Sequence, residues 1–267
     1  MVNPNTAPCH IERDDLSMAW GEALLQLLRP GATAIAPLTL SITGFASDGA
    51  PKETTLIRRG LERLVHDHGI DFDIETVAFT IFPNEYWRLA NRNRQEFFEL
   101  FRESFPRIQD WNARHNSRGT YFQRLIDYKG KNQLKWIIEE YRRNPKQRVS
   151  QFQATTYDPA RDQTRSAQLE FPCLQHISFV PLGNGDLMMN AFYATQQILR
   201  KGYGNYLGLC RLGAFMAHEM GLRLAKVSIF VGVAKIDRIG KSDDGLVVFA
   251  KEVRAAINSE NVRKHVA

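Results

Sequence analysis

This 267-residue chain has only three cysteines and no apolar stretch long enough to cross a bilayer. A membrane-spanning helix needs about 18 or more consecutive apolar residues, so a span is not expected. Cys9, Cys173 and Cys210 are an odd number without the paired spacing of a metal site. They read as reduced thiols, which makes a cytoplasmic address the expectation and a bound metal not expected. Several familiar motifs also fail. Gly202-Tyr203-Gly204 opens like a dinucleotide-binding loop, but its third glycine position is Leu207. Gly240-Lys241-Ser242 ends like a phosphate loop, but Lys235 stands where its first glycine belongs. His218-Glu219 lacks the second histidine of a zinc-protease helix, and no Gly-x-Ser-x-Gly elbow is present. His66, Asp67 and His68 have no partnering Cys/His set nearby and read as a polar helix end. No repeat or linker divides the chain. Residues 1–15 are polar, with Pro4 and Pro8, and lack a signal-peptide layout. The expectation is a flexible tail over residues 1–14 and a single domain over 15–267.

The composition is that of an ordinary globular protein, 43% hydrophobic and 24% charged, so one sizeable core is expected. A net charge of +6 and a pI near 9.3 attract phosphate groups. The cations are dispersed along the chain, however, and read as a solvated face rather than a nucleic-acid footprint.

Apolar periodicity predicts helices over residues 16–28, 53–66, 94–105, 132–143 and 206–220. Gly221 closes the last of these. Strands are expected within residues 32–45 and over 174–181, 187–193 and 224–233, with a hairpin turn at Gly183-Asn184-Gly185-Asp186. Phe72, Ile74, Val77, Phe79 and Ile81 approximate period-two alternation and predict a further half-buried strand. Helices and strands are interspersed without regular βαβ alternation, which places the chain in the α+β class.

Pro172-Cys173-Leu174 stands just ahead of this strand, hairpin and buried helix. There follow Tyr193-Ala194-Thr195-Gln196-Gln197, then Gly202-Tyr203-Gly204-Asn205, the helix, and Lys235-Ile236-Asp237. Upstream stand Gln109-Asp110-Trp111, Arg118-Gly119-Thr120-Tyr121 and Asn144-Pro145-Lys146-Gln147-Arg148. In order and spacing, residues 108–237 resemble the thymidylate synthase and pyrimidine hydroxymethylase family. The resemblance implies a mixed twisted β-sheet flanked by helices and a homodimer. It also implies transfer of a hydroxymethyl or methyl group from 5,10-methylenetetrahydrofolate to a pyrimidine-like or other heteroaromatic ring, possessing or lacking a nucleotide's sugar and phosphate.

Each functional residue carries its own chemical rationale. By resemblance Cys173 is the nucleophile: thiolate attack at C6 of a pyrimidine turns the barely nucleophilic C5 into an enolate carbon. A small buried thiol is the alternative reading of the same residue. Asn205 corresponds to the residue that reads the ring edge, where a carboxamide both donates and accepts and so matches a uracil-like lactam. It would equally serve as a helix N-cap. The resemblance gives Tyr121 a place beside the nucleophile, Glu85 a general acid/base role and Trp111 a wall of the folate site. It has Arg148 reaching an anionic ligand across a dimer interface.

The chain also departs from the family. The phosphate-gripping arginine falls on Ala194 and its neighbouring serine on Thr195. The pterin-binding aspartate falls on Gln197, and the ribose-binding His-x-Tyr on Lys235-Ile236-Asp237. Losing a bidentate arginine–phosphate contact removes about 1.5–3 kcal/mol. Arg200, Lys201 and Lys235 are the cations available to replace it. Ordinary dUMP methylation is therefore not expected. A catalytically inactive binding or regulatory protein is the alternative.

Overall fold

In the computed structural model, the described residues are 7–71, 73–116, 118–163, 165 and 171–266. Six strands form one mixed sheet: β1 (Cys9–Arg13), β2 (Leu38–Ile42), β3 (Gln153–Thr155), β4 (Leu174–Pro181), β5 (Asp186–Gln197) and β6 (Arg223–Lys235). Their spatial order is β1-β2-β6-β5-β4-β3. The β1/β2 and β5/β6 pairs run parallel, and the remaining neighbours antiparallel. The chain is α+β, as its interspersed pattern implies.

Helices follow in the order α1 (Leu16–Leu27), α2 (Thr55–Asp67), α3 (Ile74–Ile81), α4 (Asn84–Leu89), α5 (Arg94–Trp111), α6 (Ala113–Asn116) and α7 (Tyr121–Ile126). They continue with α8 (Gln133–Arg143), α9 (Pro159–Asp162), α10 (Tyr203–Met220) and α11 (Asp244–Val266). Residue alternation divides the sheet into two faces. The row Ile11, Leu40, Ile229, Ala191, Ile177 and Ala154 is buried in every strand. One residue along, the row His10, Thr39, Phe230, Phe192, His176 and Thr155 is wholly or partly exposed. The core therefore lies on one side, where α1 and α10 pack against the strands.

At the centre of that core, α10 presents almost no polar face. Gly204 and Gly208 let α3 approach it closely. A Cβ on Gly204 would fall 2.6 Å from the Ile74 carbonyl oxygen, and one on Gly208 would fall 2.8 Å from the Ala78 carbonyl oxygen. Gly221 then ends α10 in the left-handed conformation, φ 69°, where a side chain is disfavoured.

Two segments differ from the sequence expectation. Residues 74–81 are helix, not strand: the Asp73 side chain accepts from the Thr76 N–H and caps the first turn. Ile74, Val77, Ala78 and Ile81 then bury one helical stripe, a pattern that alternation over so few residues imitates. The expected tail is also partly ordered, because Cys9–Arg13 forms an edge strand on β2 with Ile11 in the core. Two helices run longer than expected. α5 passes through Pro106 to Trp111, burying Ile108 beyond the proline, and α10 begins at Tyr203.

Candidate active site

A cavity of about 340 Å³ opens where β4, β5, α3, α7 and the start of α10 meet. Cys173, Tyr121, Asn205 and Gln197, four of the residues singled out from sequence, all line it. Cys173 directly precedes β4, and its carbonyl accepts from the Ala194 N–H of β5 at 3.0 Å. That pairing holds the half-buried thiol at the sheet edge, 3.7 Å from the Thr195 hydroxyl. Tyr121 opens α7 behind its cap Thr120, and its ring packs against the core beside Cys173. Burial first, and proximity to Cys173 second, push the Tyr121 phenol well above its ordinary range.

Asn205 sits in the first turn of α10 and is only 5% exposed. It is not the cap, because Gly202 occupies that position. Its carboxamide makes no hydrogen bond among the described residues although it borders the cavity. Lining the cavity, the carboxamide can both donate to and accept from a ligand edge.

A π-helical turn, Ile198–Gly202, joins β5 to α10 and carries Arg200 and Lys201 to the same cavity. Trp20 anchors this turn by donating from its indole to the Ile198 carbonyl at 2.9 Å. Arg200 donates to the Gln197 side-chain Oε1 at 2.6 Å and pairs with Asp237 at 3.3 Å. Burial pushes the Lys201 ammonium below its usual range, and Arg200 adds to that effect, while charge at Cys173 opposes it. Arg124 forms the remaining cationic wall. Its guanidinium is fixed by a bidentate pair with Asp162 at 2.7 and 3.0 Å and by the Thr156 carbonyl at 2.8 Å.

The other sequence candidates lie elsewhere. Asp237 does not line the cavity; it stands behind Arg200, where burial raises its carboxyl above the ordinary range against the opposing pull of Arg200. Glu85 is exposed, pairs with Arg88 at 3.5 Å, and shares a separate apolar groove with Trp111, itself 72% exposed. The reason is local. α3 ends at Phe82-Pro83, and the turn there sends α4 away, so α3 meets the sulfur's cavity with Val77 and Thr80. Arg148 is exposed ahead of β3 and lines none of these cavities. Sequence reading missed Thr80, Arg124 and Gln196, because their place depends on chain segments meeting across the fold. The helical stripe of α3 was the one available signal for Thr80.

No protein-family model matches the chain, and no curated protein matches it either. The likeness to the thymidylate synthases therefore stands on motif order and spacing alone. Among the described residues no cluster of three or more metal-ligating side chains exists, and no helix is long and apolar enough to cross a membrane. The residues that the resemblance assigns to folate do not fit one: Trp111 is in another groove, and Gln197 is engaged with Arg200. At about 340 Å³ the cavity is at the small end of ligand pockets.

Proposed function

We propose that the protein activates a pyrimidine-like or other heteroaromatic ring by reversible covalent addition of Cys173. This is the first half of the one-carbon transfer that the resemblance implies. The observation that carries the reading is the meeting of Cys173 with the Asn205 carboxamide in one cavity of about 340 Å³. The sulfur forms a bond to the ring carbon conjugated with a carbonyl. The ring double bond opens, and its electron pair moves onto the carbonyl oxygen. Asn205 holds that edge, donating to the developing oxyanion, while Lys201 and Arg200 give the cavity positive charge. The adjacent carbon then takes up an electrophile or a solvent proton, and loss of a proton there with expulsion of the thiolate restores the ring.

Tritium release from C5-labelled uracil and cytosine compounds, with and without methylenetetrahydrofolate, tests this directly. Release that Cys173→Ser abolishes is the expected result. Stimulation by the folate identifies the one-carbon donor, and independence of it assigns exchange to Cys173 alone. No release from any labelled ring supports a second reading, a binding protein that kept the fold and lost the chemistry. One observation favours that alternative: no carboxylate among the described residues lines the cavity to move the C5 proton.

The partner is a second copy of this chain. The uncovered sheet face carries Phe192 and Phe230 stacked at 5.6 Å with their rings 14° apart, 37% and 41% exposed. Stacked aromatics left bare on a sheet favour burial against a like surface. Lys226 and Glu12, paired across the same face, provide opposite charges for self-complementary contact.

A further inference from the structure

A second cavity lies apart from the one that holds Cys173. A cleft of about 690 Å³ runs along α10 from Leu207 to His218, and the two share no lining residue. Its floor is aromatic: Trp87 and Phe215 meet edge to face at 5.0 Å and 84°. Trp87 is 7% exposed and lines the cleft.

One wall is a built turn, residues 46–51. Phe45 bridges to Pro51, the Ala46 N–H donates to the Ala50 carbonyl, and Gly49 lies against Ala214 of α10. There is no room for a side chain there: a Cβ on Gly49 would fall 2.5 Å from the Ala214 Cβ.

Four arginines, Arg88, Arg92, Arg211 and Arg223, also line the cleft. Arg211 is held by Glu75 at 2.6 Å, Arg223 by Asp186 at 2.7 Å, and Arg88 by Glu85 at 3.5 Å. Arg92 has no carboxylate partner among the described residues. Its backbone is left-handed, φ 60°, directly after Asn91 at φ 48°, a conformation that such side chains adopt at a cost. The two acidic residues of the lining are already engaged: Glu53 by Arg58 and Tyr203, and Asp48 by the Ala50 N–H. Guanidinium groups around an aromatic floor match one ligand type, a flat apolar body bearing a planar or tetrahedral anion.

We infer that this cleft is a second ligand site, one that takes a small aromatic phosphate or carboxylate independently of Cys173. Calorimetry on the full-length protein at low salt, with 1-naphthyl phosphate, 1-naphthoate, 1-naphthol and inorganic phosphate as probes, tests it. The expected result is 1:1 binding of at least one naphthyl anion, about tenfold or more tighter than naphthol or phosphate alone. The tighter of the two anions identifies the head group. An Arg88→Glu, Arg92→Glu double variant should bind that anion about tenfold or more weakly, because both exposed cations become repulsive. Circular dichroism and the rate of Cys173 alkylation should not change in it. Binding must also persist in Cys173→Ser, so failure of the covalent chemistry leaves this result readable. Naphthol binding as tightly as the anions, insensitivity to the double variant, loss of binding in Cys173→Ser, or no binding at millimolar probe would each overturn the inference.

Discussion

Three thiols with three environments make cysteine chemistry a direct probe of the structure. Cys210 is wholly buried, and burial pushes its thiol far above the usual range. Burial, aided by Glu22, also raises Cys9. In the native protein at pH 8, mass spectrometry should find iodoacetamide on Cys173 first and on Cys210 only after denaturation. Appreciable native labelling of Cys210 would contradict its place in the core. Asn205→Asp exchanges a donor for an acceptor at the ring edge, so tritium release should shift from uracil toward cytosine compounds by about tenfold or more. An unchanged preference would remove Asn205 from ring reading.

Arg124 and Asp162 supply a third test at this scale. Burial alone would raise the Asp162 carboxyl, but the Arg124 guanidinium more than reverses it, leaving the group below its ordinary range. A carboxyl depressed on folding contributes stability that is fully present above its unfolded pKa of about 3.9 and is lost as pH falls through the folded value. Arg124→Met should destabilise the protein by about 3–5 kcal/mol at neutral pH, since it strands a buried carboxylate. Acid titration followed by circular dichroism should then show the variant losing less of its remaining stability below pH ~4 than the parent, because the pair is already gone.

The α3–α10 contact is the element on which the site depends, since it brings Val77 and Thr80 against the cavity that Asn205 enters. Gly208→Ala should cost about 1–3 kcal/mol by forcing the helices apart, and Asp73→Ala about 1 kcal/mol through loss of the cap. Thermal denaturation reads both; no change for Gly208→Ala would argue against so close a packing. Elements with long, uninterrupted periodicity were legible from the residues, as β4, β5, α8 and α10 show. The eight residues of α3 were not, because Phe72, Ile74, Val77, Phe79 and Ile81 fit two periods and only Asp73 arbitrates. Glu85 was misplaced for a related reason. Which way α4 points is set by the Phe82-Pro83 break and not by distance along the chain.

At the scale of the molecule, the bare sheet face and the distant Arg148 belong to one prediction. Sedimentation should show a dimer, and Phe230→Glu should shift it to monomer by placing a charge in the aromatic patch. If Arg148 serves the partner's cavity, Arg148→Ala and Cys173→Ser are each inactive alone and regain tritium release when mixed under exchanging conditions. No recovery in mixed dimers would confine Arg148 to the surface of its own subunit.

The residues by themselves determined the α+β class and the identities of α8, β4, β5, α10 and β6, while the resemblance pointed to Cys173, Tyr121, Gln197 and Asn205, which line one cavity, and equally to Glu85, Trp111, Arg148 and Asp237, which do not. Local periodicity and motif spacing survive folding, and so they can be read directly. Tertiary structure alone decided which α3 side chains face the sulfur, which face of the sheet stays bare, and where the arginine cleft forms. Those outcomes depend on segments far apart in sequence, β1 and β2 beside β6, α3 against α10, and the 46–51 turn on Ala214. Their registry is fixed by shape and burial across the core, which a linear pattern does not record.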